Sequence, residues 1–184
     1  AGTLKPFGGV QQVLENFYKP PIFPIVWSDF PAQKVYHDFN QGDRIPIHDH
    51  LFLETCSLNH PDGATGYRLN CADKSVCYVT DTEHTQGTLD PNILQLIHGT
   101  DLFIYDATFD DDRYKKHQGW GHSTWQEACR LAREAQVKQT AIFHHCPTNT
   151  DSVMAQHSQD IVTYHPTAFI AQQDATVRIK KLNS

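Results

Sequence analysis

Leu102-Phe-Ile-Tyr-Asp106, Thr124-Trp-Gln-Glu-Ala-Cys-Arg-Leu-Ala-Arg-Glu-Ala135 and Thr140-Ala-Ile-Phe-His-His145 are the stretches on which the fold turns. The first and third are short apolar runs that end in polar residues, the pattern of a strand buried in a sheet. The middle one is helical: Trp125, Ala128, Leu131, Ala132 and Ala135 recur along one face, with Ser123 or Thr124 at the N-cap. Glu127 follows Thr124 as in a capping box. Strand, helix and strand in this order predict a βαβ unit whose two strands are parallel neighbours with a right-handed crossover. This half of the chain therefore reads as layered α/β.

Working outward, alternating patterns predict strands over 35–39, 52–58, 66–70 and 75–80, separated by Gly, Asp and Pro. The link Cys71-Ala-Asp-Lys74 is of hairpin length and makes the last two an antiparallel pair. Asp90-Pro91 opens a helix that runs through Ile97, a second helix is predicted over 150–163, and strands over 168–170 and 177–179 close the chain. At the other end, Val10, Val13, Leu14 and Phe17 mark a short helix. Pro20, Pro21 and Pro24, set among Ile22, Phe23, Ile25 and Trp27, cannot continue it and predict a packed loop. So apolar a leader, without a strand of its own, is built to cover a surface supplied by something else.

The chain of 184 residues is one domain in length, and 39% of it is hydrophobic. It holds no run of eighteen apolar residues and no cationic-then-apolar start, so a cytoplasmic protein without a membrane span is expected. Five cysteines form no close-set framework and require no disulfide. With 15 basic against 21 acidic side chains, and no Lys/Arg block, nucleic acid is an unlikely partner, although a small local patch could exist. Twelve histidines exceed what packing requires and direct attention to metal binding or acid/base chemistry.

Four segments place polar residues directly after apolar runs: Asn59-His60-Pro61, Asp81-Thr82, Asp106-Ala107-Thr108 and His144-His145. Ligands of layered α/β proteins bind beyond the carboxyl ends of strands, where such residues converge although they are distant in sequence. Two imidazoles and a carboxylate suit Zn²⁺ or a neighbouring first-row metal. Plainer roles compete. A strand-end His or Asp commonly caps a turn, although Gly63, Gly66 and Tyr67 around His60 favour a metal role there. His145 competes with His144, because adjacent side chains of a regular strand face opposite ways. His122 is as well placed to cap the helix it opens as to move a proton. His48 and His50 read as solvated strand flanks, Asp110-Asp-Asp112 as a solvated loop, and Trp120 and Trp125 as packing residues.

Five segments, in order, carry a resemblance: Leu58-Asn-His-Pro-Asp-Gly-Ala-Thr-Gly-Tyr-Arg68, Tyr78-Val-Thr-Asp-Thr-Glu83, Phe103-Ile-Tyr-Asp-Ala-Thr-Phe109, Gly119-Trp-Gly-His-Ser-Thr124 and Ile142-Phe-His-His-Cys-Pro147. Together they resemble the later motifs of the metallo-β-lactamase-fold hydrolases, in the branch containing ribonuclease Z and phosphodiesterase-like relatives. The resemblance implies the second half of an αββα sandwich, a mixed sheet flanked by helices. It makes His60 a ligand of one metal, Asp81 the bridge between two and His144, rather than His145, a ligand of the second. Asp81 would also orient the attacking species, and His122 would give a proton to the leaving group. The implied cofactor is a divalent metal, zinc first with manganese and iron as alternatives, and two ions in the complete domain. The implied reaction is hydrolysis of a small-molecule phosphodiester, or an ester or lactone, by hydroxide that the metals make available near neutral pH.

The family's His-x-His-x-Asp-His motif has no counterpart, since the one His-x-His, His48-Asp-His50, is followed by Leu51 and Phe52. Cys146 stands where relatives commonly carry Asp and reads as a buried, inert thiol. Residues 1–184 are therefore expected to form a single incomplete domain without its N-terminal half. Two protein ligands per metal, where zinc takes at least three, make a weak site. The chain alone is expected to be inactive, its partners being the substrate, the missing half or a complementing chain, and further copies in a homo-oligomer. The alternative is a non-catalytic half-domain serving in interaction or regulation.

Overall fold

The computed structural model describes residues 9–179. Its frame is one mixed sheet of seven strands whose spatial order equals their chain order. The strands are β1 (Arg44–His48), β2 (Leu51–Leu58), β3 (Ala64–Cys71), β4 (Lys74–Val79), β5 (Leu102–Asp106), β6 (Thr140–Phe143) and β7 (Ala168–Ile170). Hairpin-length links make β1 to β4 an antiparallel meander. The pairs β4–β5, β5–β6 and β6–β7 are parallel, and their crossovers contain α2 (Pro91–Ile97), α4 (Trp125–Glu134) and α5 (Asp151–Tyr164). The predicted βαβ unit is present, with Phe103 opposite Thr140 and Tyr105 opposite Ile142. Two antiparallel steps separate β2 from β4, so β2 runs with β4, β5 and β6, and the carboxyl ends of all four open on one edge.

Alternation along each strand gives the sheet two unequal faces. Cys56, Leu58, Cys77, Val79, Phe103, Tyr105 and Ile142 pack against Ile93, Leu96 and Ile97 of α2 and Ala128, Leu131 and Ala132 of α4, forming the core. The opposite face carries Leu53, Leu69, Val76, Tyr78, Ile104 and Phe143. Tyr78 remains 42% and Phe143 38% exposed although both lie on central strands. No helix among the described residues is long and apolar enough to cross a membrane.

Three sequence expectations are corrected. Residues 35–39 form no strand and pair with none among the described residues: Trp27 Nε1 donates to the Tyr36 hydroxyl and Phe39 packs edge-on to Tyr67, so side chains rather than a ladder hold this segment. The edge strand is β1 instead, which tolerates Pro46 because an edge leaves one side of the ladder free. Residues 177–179 likewise form no strand. Asp110-Asp-Asp112 is not a loop: Asp110 Oδ1 accepts from the N–H groups of Asp112 (3.0 Å) and Arg113 (2.8 Å), capping the short helix α3 (Asp111–Tyr114). The helix α1 (Val10–Phe17) forms as expected. At α4, Thr124 Oγ1 accepts from Glu127 N–H at 3.1 Å, while the Glu127 carboxylate turns to Arg130 at 2.7 Å.

Candidate metal centre

The edge where β4, β5 and β6 end gathers Asp81, Asp106, His122 and His144, each offering a ligand atom within 4.8 Å of the others. Asp81 follows β4 and His144 follows β6, and both take a left-handed backbone with φ 58°. Each such position costs a residue with a side chain about 1 kcal/mol or more, strain of the kind that collects at working sites. With the chain turned there, His144 Nε2 lies 3.5 Å from Asp81 Oδ1 and its Nδ1 lies 3.5 Å from Asp106 Oδ2.

Asp106 is fully buried and organises the group. Its Oδ1 accepts from Thr108 N–H (3.1 Å), Thr108 Oγ1 (2.8 Å) and Ser123 N–H (3.4 Å), and its Oδ2 from Asp81 N–H (3.0 Å) and His122 Nδ1 (2.9 Å). A carboxylate only accepts, so the His122 proton sits on Nδ1 and the lone pair on Nε2. The same logic holds at His144, whose Nδ1 lies 3.1 Å from Thr108 Oγ1. That hydroxyl has a single proton, aimed at Asp106 Oδ1 or the His144 carbonyl, and so receives the Nδ1 hydrogen. His144 Nε2 then presents a lone pair to an Asp81 oxygen. Two acceptors facing each other call for a cation between them, and this nitrogen and oxygen donor set fits a divalent metal ion.

The segment before α4 is held by hydrogen bonds that fix His122. Glu83 accepts from Gly119 N–H at 2.7 and 2.9 Å and from Gly121 N–H at 2.9 Å. Gly121 has φ +80°, and a Cβ there would lie 2.3 Å from His60 Cδ2, so only glycine lets the loop pass His60. Next to His122, Ser123 Oγ meets His84 Nδ1 at 2.7 Å and the Tyr105 hydroxyl at 3.1 Å. Burial, and then the charge of Arg130, push the His84 imidazole down to about 4. His122 does not cap α4, because Thr124 does.

Of the residues named from sequence, Asp81, His122 and His144 come together as one group. His60 reaches the same rim, its ring 6.3 Å from that of His122, but stands outside the four-residue group. Its Nδ1 accepts from Asp62 N–H at 3.2 Å, which places the proton of the neutral ring on Nε2. His145 lies outside the group, and its Nε2 is buried without a hydrogen-bond partner among the described residues. Cys146 is half-buried rather than buried: Arg113 donates to its Sγ at 3.5 Å, and Thr148 lies 3.0 Å away. Trp125 packs as expected at 8% exposure, whereas Trp120 does not, at 62%.

Residues 9–145 match the profile of the beta-lactamase superfamily domain. The chain belongs to that superfamily. The resemblance drawn from the five motifs is thus borne out, including its branch, since curated relatives of this superfamily member are named ribonuclease Z. One, from Brevibacillus brevis, is 29% identical over 143 residues, covering 78% of this chain and 41% of its own. The curated relatives are matched over only about a quarter to two-fifths of their length, from 26% to 41%. Among solved structures, human tRNase Z, short form, superposes with a TM-score of 0.57 at 18% identity, covering 75% of this chain and 46% of that one. Zn²⁺-bound PqqB from Methylobacterium extorquens gives 0.60 at 13% identity, covering 77% and 55%. These likenesses establish the mixed sheet with flanking helices as the superfamily's fold.

Asp106 was placed at a strand end by the sequence but was given no role in the site. It lay within a quoted motif and followed an apolar run like Asp81, so the strand-end rule that selected Asp81 applied to it equally. Thr108, in the same strand-end segment, and Glu83, at the end of a quoted motif, orient His144 and the His122 loop, and neither residue type points to that role.

Proposed function

We propose that this chain carries the second half of a metal-dependent phosphodiester hydrolase. One observation supports the reading above the others: three adjacent parallel strands bring two carboxylates and one imidazole to one edge and the segment before α4 adds the second imidazole, with a buried Asp106 fixing one imidazole tautomer directly and the other through Thr108. Asp81 and His144 would hold the ion, zinc being favoured by the mixed nitrogen and oxygen donors and by the zinc-bound relative. The complete domain would hold two ions, with His60 serving the other once its Nδ1 gives up the Asp62 N–H or its Nε2 gives up its proton. A bound divalent ion would supply Lewis acidity at the phosphoryl oxygen.

The chain's own groups account for the proton. Asp106 accepts the Nδ1 hydrogen of His122 and steadies the imidazolium, so a proton taken up at Nε2 can pass to the departing oxygen. The backbone N–H of Asp81, bound to Asp106, sets the angle of the Asp81 carboxylate. The half-exposed apolar sheet face and the lack of a His-x-His-x-Asp-His motif support a domain completed by further structure over that face. Relatives named as ribonucleases and a tRNase bring nucleic acid into the substrate class. The expectation against it rested on net charge, which does not describe the surface around the site.

The test is zinc-dependent hydrolysis of bis(p-nitrophenyl) phosphate by a form that includes His-x-His-x-Asp-His. Activity should vanish with EDTA, and His122→Ala should lower kcat by roughly 100-fold or more. Hydrolysis that persists in EDTA, or is indifferent to His122, would refute the assignment. Zinc binding without hydrolysis of any phosphodiester would favour the non-catalytic alternative.

A further inference from the structure

Trp120 is the most exposed aromatic side chain among the described residues, at 62%, and stands two residues before His122. Its Cα is therefore within about 7 Å of that of His122. The loop that carries it is fixed, because Gly119 and Gly121 on either side both donate to Glu83. The indole meets the His117 ring perpendicularly at 4.9 Å, His117 stacks on Phe109 at 4.5 Å, and Phe109 lies edge-on to His122 at 6.4 Å. A large apolar ring is thus braced in water beside the candidate metal centre, which burial alone does not favour. In the segment leading into it, Lys115-Lys-His117, Lys115 is held by Asp112 at 2.7 Å, which leaves Lys116 as the cation turned to solvent. Lys116 is exposed and makes no ion pair among the described residues.

We propose that Trp120 is a stacking platform for a nucleobase of the substrate, with Lys116 drawing in the adjoining phosphate. The proposal rests on the phosphodiester reading and deepens it, naming a nucleotide as the group recognised. An indole face accepts any base, so the platform confers preference for nucleotide substrates over base-free phosphodiesters without reading sequence.

The experiment is calorimetric titration of the 184-residue chain, Trp120→Phe and Trp120→Ala with adenosine 5′-monophosphate and with ribose 5-phosphate. EDTA is present throughout, so binding is read apart from the metal centre. Adenosine 5′-monophosphate should bind the Ala variant roughly 5- to 100-fold more weakly than the native chain, and the Phe variant nearly as well as the native chain. Ribose 5-phosphate, which has no base, should bind all three alike, and Lys116→Ala should weaken both ligands. The proposal is overturned if adenosine 5′-monophosphate binds the Ala variant as well as the native chain, fails to bind the native chain, or if ribose 5-phosphate is lost in parallel. Base-dependent binding in a chain whose completed form hydrolyses no phosphodiester would sink the hydrolase reading alone. Hydrolysis without base-dependent binding would sink only the platform.

Discussion

Asp106→Asn keeps the shape of the side chain and turns one of its two acceptor edges into a donor. If the amide nitrogen replaces Oδ2, it faces Asp81 N–H and His122 Nδ1; if it replaces Oδ1, it faces Thr108 N–H and Ser123 N–H. Rotation of the His122 tautomer can relieve one of these clashes, but at least one backbone N–H is left unpaired in either orientation. That orphan costs about 1–3 kcal/mol, and neutral acceptors weaken the bonds that remain. Relief from burying a charge offsets part of this, since no Lys or Arg among the described residues pairs with Asp106, so a net loss of about 2 kcal/mol is expected. Urea denaturation followed by far-UV circular dichroism in EDTA reads that loss without interference from metal. Zinc affinity, measured against a chromogenic chelator, should fall roughly 10- to 100-fold, because the carboxylate that orients Asp81 through its N–H and His144 through Thr108 is gone. A variant with stability within about 0.5 kcal/mol of native, well below the cost of an unpaired buried N–H, and with unchanged zinc affinity would show that Asp106 does not organise the site.

Three further outcomes follow from neighbouring contacts. Gly121→Ala would place a Cβ 2.3 Å from His60 Cδ2 and 2.9 Å from Pro61 Cδ at φ +80°. Thermal unfolding should show a loss of about 2–3 kcal/mol and the His60 ring resonances should move; an unshifted ring would contradict the close approach. His84 is held neutral in the folded chain at about 4, below its ordinary value. The unfolded chain therefore binds the extra proton between about pH 6.5 and pH 4, so His84's contribution is complete above about pH 6.5 and falls as the pH drops through that window. About 2 kcal/mol of pH-dependent stability is expected after allowance for partial solvent access, and His84→Asn should flatten that part of the stability profile. Thr124→Ala removes the cap that accepts from Glu127 N–H and donates to Asp111 at 2.8 Å. Chemical denaturation should register about 1–2 kcal/mol of destabilisation, most of it restored by Ser.

The parts of the fold that were legible are those whose signal is local. The capped, periodic stretch from Thr124 to Ala135 and the apolar runs on either side specify the parallel β5–β6 pair, because period and cap belong to the segment itself. Residues 35–39 and β1 show where that fails. Both alternate, and the choice between them lies in which one β2 pairs with, a contact that neither segment records. The one-sided sheet is another case: Tyr78 and Phe143 look like core residues in sequence, and their exposure follows only from where the helices lie.

The site was legible to the extent that strand ends are. Asp81 and His144 could be placed at the ends of strands and so at a common edge, but not the left-handed turns that aim them at each other. Asp106 is the sharper instance. Three of the five groups that donate to it are backbone N–H groups, of Asp81, Thr108 and Ser123, and backbone amides look alike at every position of a sequence. A strand-end aspartate facing solvent and one facing five donors therefore leave the same trace in the chain. What separates them is closure of the β4–β5–β6 edge, which brings in one donor from beyond β4 and two from the segment just before α4. Residues that bind through their side chains announce themselves by type, whereas a residue that orders others through the backbone acquires its role only when the fold is complete.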